Sequence, residues 1–268
     1  MHSGPQSFSA LRPALRPVTR SLIPALLCGA SLLFGAAPAL AQTQPILGHL
    51  AGAPVQLGER SQALAATAAA TRDFAQFVQH NLQTRTSGLP TEFPLEINDI
   101  QDLKDAKIGH GFQVYTIDPK DIVAGRGELS GMAKPTGVWR FIITLHERPI
   151  GLATVEQSGG AWNTVAYGGA VLSKDVDALM AFHGNVERSN LRFIRIFQAQ
   201  SDFLEVVSAG DTKARFAPLH SARESLLLQQ RAVKTGKVKA DGVNGLADPA
   251  EFLEPLRAAV KSNMDAFR

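Results

Sequence analysis

Arg195 is the charged side chain of this sequence whose position most invites chemistry. It lies in Leu191–Gln198 (LRFIRIFQ), where period-2 alternation puts it on the same stripe as Phe193 and Phe197. A guanidinium on an apolar stripe must be paired, must snorkel to water, or must face a ligand. The simplest expectation is an ion pair with Glu205 on the following strand, since opposite charges commonly face each other across a ladder. If the face borders a cleft instead, Arg195 could receive a carboxylate or phosphate, with Trp139 or Tyr115 as an apolar wall. The enzymatic alternative is a hydrolase or isomerase assembled from distant residues, for example His146, Asp202 and Arg195.

Sequence-local motifs offer nothing stronger. His49, His80, His110, His146, His183 and His220 are widely spaced and form neither His-x-His nor His-Glu-x-x-His, so no local zinc site is expected. Gly109-His110-Gly111 precedes its strand and lacks the third glycine of a dinucleotide loop. Lys234-Thr235-Gly236 has no Ser-x-x-Lys before it, and Ser130 and Ser158 lack the Gly-x-Ser-x-Gly frame of a strained nucleophile elbow. The oxygen-bearing residues of Asp241–Gly245 miss the alternating positions of a calcium loop. The expectation is therefore no catalytic residue, no metal and no cofactor.

Residues 1–41 read as a secretory signal: a basic leader with Arg12, Arg16 and Arg20, an apolar segment from Leu22 to Phe34, and Ala39-Leu40-Ala41 as the cleavage site. The apolar segment is broken by Pro24 and Gly29 and falls short of the ~20 residues of a spanning helix, so no stable membrane insertion is expected after cleavage. The chain carries 27 Lys and Arg against 24 Asp and Glu, and the three leader arginines account for the excess. A balanced mature chain gives no electrostatic case for nucleic acid. Cys28, the single cysteine, leaves with the leader, so a periplasmic or secreted product must hold its fold without disulfides.

Those side chains need elements to position them. Residues 42–60 read as a flexible arm, and Ser61 to about Leu82 as an amphipathic helix with Leu64, Ala68, Thr71, Ala75, Val78 and Leu82 on its inward stripe. Phe112–Ile117 reads as a short strand and Gly125–Gly137 as a loop. Val138–Gly169 then holds three strand-like runs separated by turns, with Trp139, Phe141, Ile143 and Leu145 on the inward face of the first. A helix capped by Ser173 follows, then a second meander through Leu191–Gln198, Asp202–Ser208 and Ala214–Ala217. Ser221 and Glu224 suggest a capping box, as do Asp248 and Glu251 ahead of a final helix. The domain layout expected is 61–230 for the core, 231–247 for a basic linker and 248–268 for the C-terminal helix.

This order predicts an α+β fold: an antiparallel sheet of about six to seven strands built from two meanders, with helices packed on it and no parallel βαβ repeat. The block Val138 to Leu228 resembles the exported chaperone-like family associated with chloroplast and cyanobacterial preprotein import and outer-membrane biogenesis. The resemblance rests on the helix opening Leu172–Leu179, the strand pair after it, and Phe216-Ala217-Pro218-Leu219. It implies a chaperone-like role and brings no catalytic residue. The functional expectation is an exported, non-enzymatic binding or chaperone-like protein whose partner is a protein or a small molecule.

Overall fold

The computed structural model describes residues 57–85, 88–125, 127–210, 213–226 and 245–266. The expected leader with its cleavage site, most of the arm, His49 and most of the basic linker lie outside the described residues.

Small side chains decide how the first helix sits. In α1 (Leu57–Thr84) the buried stripe is Ala66, Ala69, Ala70 and Phe74. Of the stripe read from the sequence, Leu64 is 73% exposed and Ala68, Thr71 and Ala75 are also at the surface, while Val78 and Leu82 are half-buried and pack against the core. Alanines let the helix backbone approach the sheet closely, and that contact outweighs burying one leucine. A 3-10 turn (Ile100–Lys104) follows, with Asp99 and Asp102 forming a reciprocal capping box.

Among the described residues seven strands form one mixed sheet: β1 (Ala106–Thr116), β2 (Lys134–Leu145), β3 (Arg148–Ser158), β4 (Ala161–Gly168), β5 (Leu191–Ile196), β6 (Ser201–Val206) and β7 (Arg215–Pro218). Their spatial order is β4-β3-β2-β1-β5-β6-β7. Two antiparallel meanders are thus present, but they meet at a parallel junction, with Val114 opposite Phe193 and Tyr115 opposite Ile194. No strand-helix-strand pattern announces this pair, because β2, β3 and β4 intervene between its two members. The region expected as loop contains α3 (Leu129–Met132) and the start of β2, and α2 (Pro119–Ala124) follows the Asp118-Pro119 break, capped by the Asp118 side chain.

Both faces of the sheet are covered. One face buries Phe141, Ile143, Leu145, Ala153 and Val155 under α1. At its other end, Ile194, Ile196, Phe203 and Phe216 pack under the C-terminal helix α6 (Pro249–Ala266) through Phe252, Leu256 and Val260. The opposite face buries Phe112, Val114, Ile142, Leu152, Phe193 and Leu204 under α4 (Ala170–His183), the helix that leads from the β4 edge to β5. Ile142, expected to point outward, is 1% exposed for this reason, while Trp139 lies half-buried at the rim of the α1 cluster.

Two expected caps differ. α4 begins three residues before Ser173, behind left-handed Gly169, and the Ser173 hydroxyl donates back to the Ala170 carbonyl at 2.8 Å. Ser221 lies inside α5 (His220–Ser225), and its hydroxyl donates to Asp202 at 2.8 Å. At the head of α6 one arm of the expected box is present, the Glu251 carboxylate accepting from the Asp248 amide, while the Asp248 side chain accepts from the Ala250 amide instead of that of Glu251.

Candidate functional site

Arg192 and Arg195 leave β5 on opposite faces because three steps along a strand reverse side-chain direction. β5 ends at Ile196, and the tight turn through Phe197–Ala199 and left-handed Gln200 sets Ile196 against Ser201. That register aligns Arg195 with Asp202 and Arg192 with Glu205. The expected Arg195–Glu205 pair is corrected accordingly. Arg195 Nη1 donates to both Asp202 carboxylate oxygens at 3.2 and 3.3 Å, and Arg192 Nε donates to Glu205 Oε2.

The proposed walls of an Arg195 site also lie elsewhere. Tyr115 and Trp139 occupy the α1/α6 face, where the Tyr115 ring lies 5.2 Å from the Arg192 guanidinium, whereas Arg195 points to the α4 face. The ring beside Arg195 is Phe197, at 5.6 Å. The structure adds Arg140, which follows Trp139 in β2 and so takes the opposite face of the sheet. It projects from β2 onto the α4 face, 5.9 Å from the Phe193 ring, and its Nε and Nη1 are buried without a hydrogen-bond partner. Burial first, and then the like charge of Arg195, hold this guanidinium below arginine's usual range, with Asp202 offsetting only part. Asp175 on α4 pairs with Arg223 at 3.1 Å and accepts from the His220 amide.

The residues of the enzymatic alternative do not converge. His146 sits in the β2–β3 turn, 3.9 Å from Asp105, next to the strand end where Leu145 pairs with Ala106. Arg195 belongs to the opposite end of β1, where its carbonyl accepts from the Thr116 hydroxyl at 2.8 Å. Among the described residues no group of three His, Cys, Asp or Glu could hold a metal ion.

A concave surface lies on the α1 face. A groove of about 690 Å³ runs between the C-terminal half of α1 and the chain entering β1. Its apolar floor is Phe74, Ala75, Val78, Leu82, Leu103 and Ile108, and its polar border includes Lys104 and Lys107 with no carboxylate among the lining residues. Val78 and Leu82 are half-buried against the core and also line the groove, and exposed Ala75 completes its α1 wall. Among the described residues no helix is long and apolar enough to cross a membrane. Compared with protein-family models, curated proteins and solved structures, the chain matches none.

Proposed function

We propose that this chain is an exported, periplasmic, non-enzymatic binding protein of chaperone-like type, and that the groove beside α1 is its ligand-contacting surface. The single observation that carries this reading is an open apolar trough of about 690 Å³ with a lysine-bearing border and no acidic residue in its lining. Export rests on the tripartite leader sequence, and the chaperone-like element on the resemblance of Val138–Leu228. The occupant is an amphipathic polypeptide segment. Thr71 to Gln83 spans about 18 Å of α1, enough to seat about three turns of a partner helix. Its apolar stripe would lie on Val78 and Leu82, and acidic flanking residues would meet Lys104 and Lys107.

The test is fluorescence anisotropy with a labelled amphipathic peptide carrying acidic flanks, beside its lysine-flanked twin. Saturable binding of the acidic peptide, weakened at least tenfold by Val78→Asp and favoured over the basic twin, supports the reading. Equal affinity for both peptides, or no loss on Val78→Asp, rejects the groove. The hydrolase or isomerase alternative draws no support from the site geometry, because His146 stands apart from Asp202 and Arg195.

A further inference from the structure

We infer that the groove beside α1 receives the C-terminal end of its occupant, with Arg85 binding the terminal carboxylate; this rests on the groove being the ligand-contacting surface. A second hollow, of about 460 Å³, lies between Leu82, Arg85 and Leu89 on one side and Asn98 to Gln101 on the other. It shares Leu82 with the groove, whose other wall is drawn from Leu103 to Ile108. The two walls therefore advance in step. As α1 runs from Thr71 past Leu82 to Arg85, the opposing chain runs back from Ile108 to Asn98. The second hollow continues the groove beyond the last turn of α1.

The lining changes character at that point, from the apolar floor of the groove to the side-chain amides of Asn98 and Gln101 and the guanidinium of Arg85. Arg85 is held from behind. Asn81, four residues earlier on the same helix face and 3% exposed, donates its amide nitrogen to the Phe77 carbonyl at 2.8 Å, which leaves its oxygen to accept from Arg85 Nε at 2.7 Å. The Phe93 ring lies 5.8 Å from the guanidinium carbon. Among the described residues neither Nη1 nor Nη2 of Arg85 has a hydrogen bond or an ion pair, so the edge of the fork that takes a carboxylate through two parallel bonds is open. Asp99, the carboxylate in this lining, accepts from the Gln101 amide at 2.8 Å as the cap of the 3-10 turn and forms no ion pair with Arg85. A helix seated on Val78 and Leu82 would end here with its last carbonyls unpaired, and the Asn98 and Gln101 amides are donors for them. The charge of Arg85 suits both the negative end of that helix and its terminal carboxylate. The occupant accordingly runs parallel to α1, with its N-terminus toward Thr71.

The experiment is fluorescence anisotropy with the acidic-flanked amphipathic peptide, labelled at its N-terminus and ending in a neutral residue, as the free C-terminal acid and as the C-terminal amide. A further amide carries glutamate as its last residue. The acid should bind about tenfold or more tighter than the plain amide, and the glutamate amide should match the plain amide. In Arg85→Gln the preference for the acid should shrink to within about twofold, with the amide bound as by the parent. Lys104 and Lys107 remain in that variant, so a general attraction to negative charge would keep the acid preferred. The comparison of acid with amide on the parent decides the matter even if Arg85→Gln does not fold. Equal binding of the two overturns the carboxylate seat, while amide binding that is lost in Val78→Asp leaves the groove reading standing. A preference undiminished in Arg85→Gln, or a glutamate amide as tight as the acid, overturns the seat as well. Failure of every peptide to bind the parent overturns groove and seat together.

Discussion

Glu205 is 2% exposed, one of its carboxylate oxygens is bonded to Arg192, and the other, Oε1, is buried without a partner. Arg192 is itself anchored by the Ser130 carbonyl at 2.7 Å and by the ring of Tyr115. Removing one member of such a pair leaves a buried charge uncompensated, which costs more than the pair contributes. Arg192→Met should therefore destabilise the protein by about 3 kcal/mol, and adding Glu205→Leu should recover most of that loss. Urea melts of the two single variants and the double variant measure this. A double variant no more stable than Arg192→Met would show that shape, not charge, sets the cost. The charges of β5 were legible in the sequence, and so was the need for partners. The partner identities were not, because they depend on where the strand stops: reading β5 through Gln198 shifts the pairing by three residues, and only the Phe197–Ala199 turn fixes Arg195 on Asp202.

At the scale of elements, α1 presents two testable features. Its seating on the sheet predicts opposite outcomes for two substitutions. Leu64→Ala, at a 73% exposed position, should change stability by less than about 0.5 kcal/mol, whereas Ala70→Leu, at 0% exposure, should cost about 1–3 kcal/mol by overpacking. A large loss at Leu64 with a tolerated Ala70→Leu would restore the stripe read from hydropathy. That reading failed in the first half of the helix, where Leu64 drew the stripe away from Ala66, Ala69 and Ala70, and held at Val78 and Leu82, which pack against the core. The second feature is the open edge of the sheet. Arg72 Nη2 donates to the Trp162 carbonyl at 3.0 Å, and the Thr164 amide donates to Asp73 Oδ2 at 2.6 Å, so two side chains of α1 occupy the outward hydrogen-bonding groups of β4. Burial pushes the Asp73 carboxyl up, but the bonds from Arg72 and Thr164 and the charge of Arg72 outweigh it and hold it below the ordinary carboxylate range. A lowered folded-state pKa means that this stabilisation is complete above about pH 4 and is lost as pH falls through the lower folded value. Asp73→Asn should thus be less stable than the parent at neutral pH, with the gap closing below about pH 4. A gap independent of pH would remove the charge from the account of this edge.

The sheet is two antiparallel blocks, β4-β3-β2-β1 and β5-β6-β7, joined through two parallel residue pairs. The α+β class and both meanders were readable from alternation and turns. The junction was not, since a parallel pairing between strands so far apart in sequence leaves no local signal. A seam this short cannot by itself carry the β5-β6-β7 block, so helices must. α4 packs across the seam on one face through Val176, Leu179 and Met180, and α6 covers the block on the other. Phe252 is the centre of that second cover: it is 1% exposed, stacks on Phe203 at 4.8 Å and meets Phe216 edge-on at 5.7 Å. Phe252→Ala should cost about 3–5 kcal/mol, the range for a large aromatic removed from a packed core. The loss should also be uneven. β1–β4 retain α1 and their own ladders, so amide exchange should accelerate first in β5, β6 and β7 while β2 and β3 stay protected. Hydrogen-exchange mass spectrometry on the variant resolves the two blocks. Uniform acceleration across all seven strands would mean that the seam transmits stability as fully as the interior of either block, and that α6 braces the whole sheet rather than one end of it.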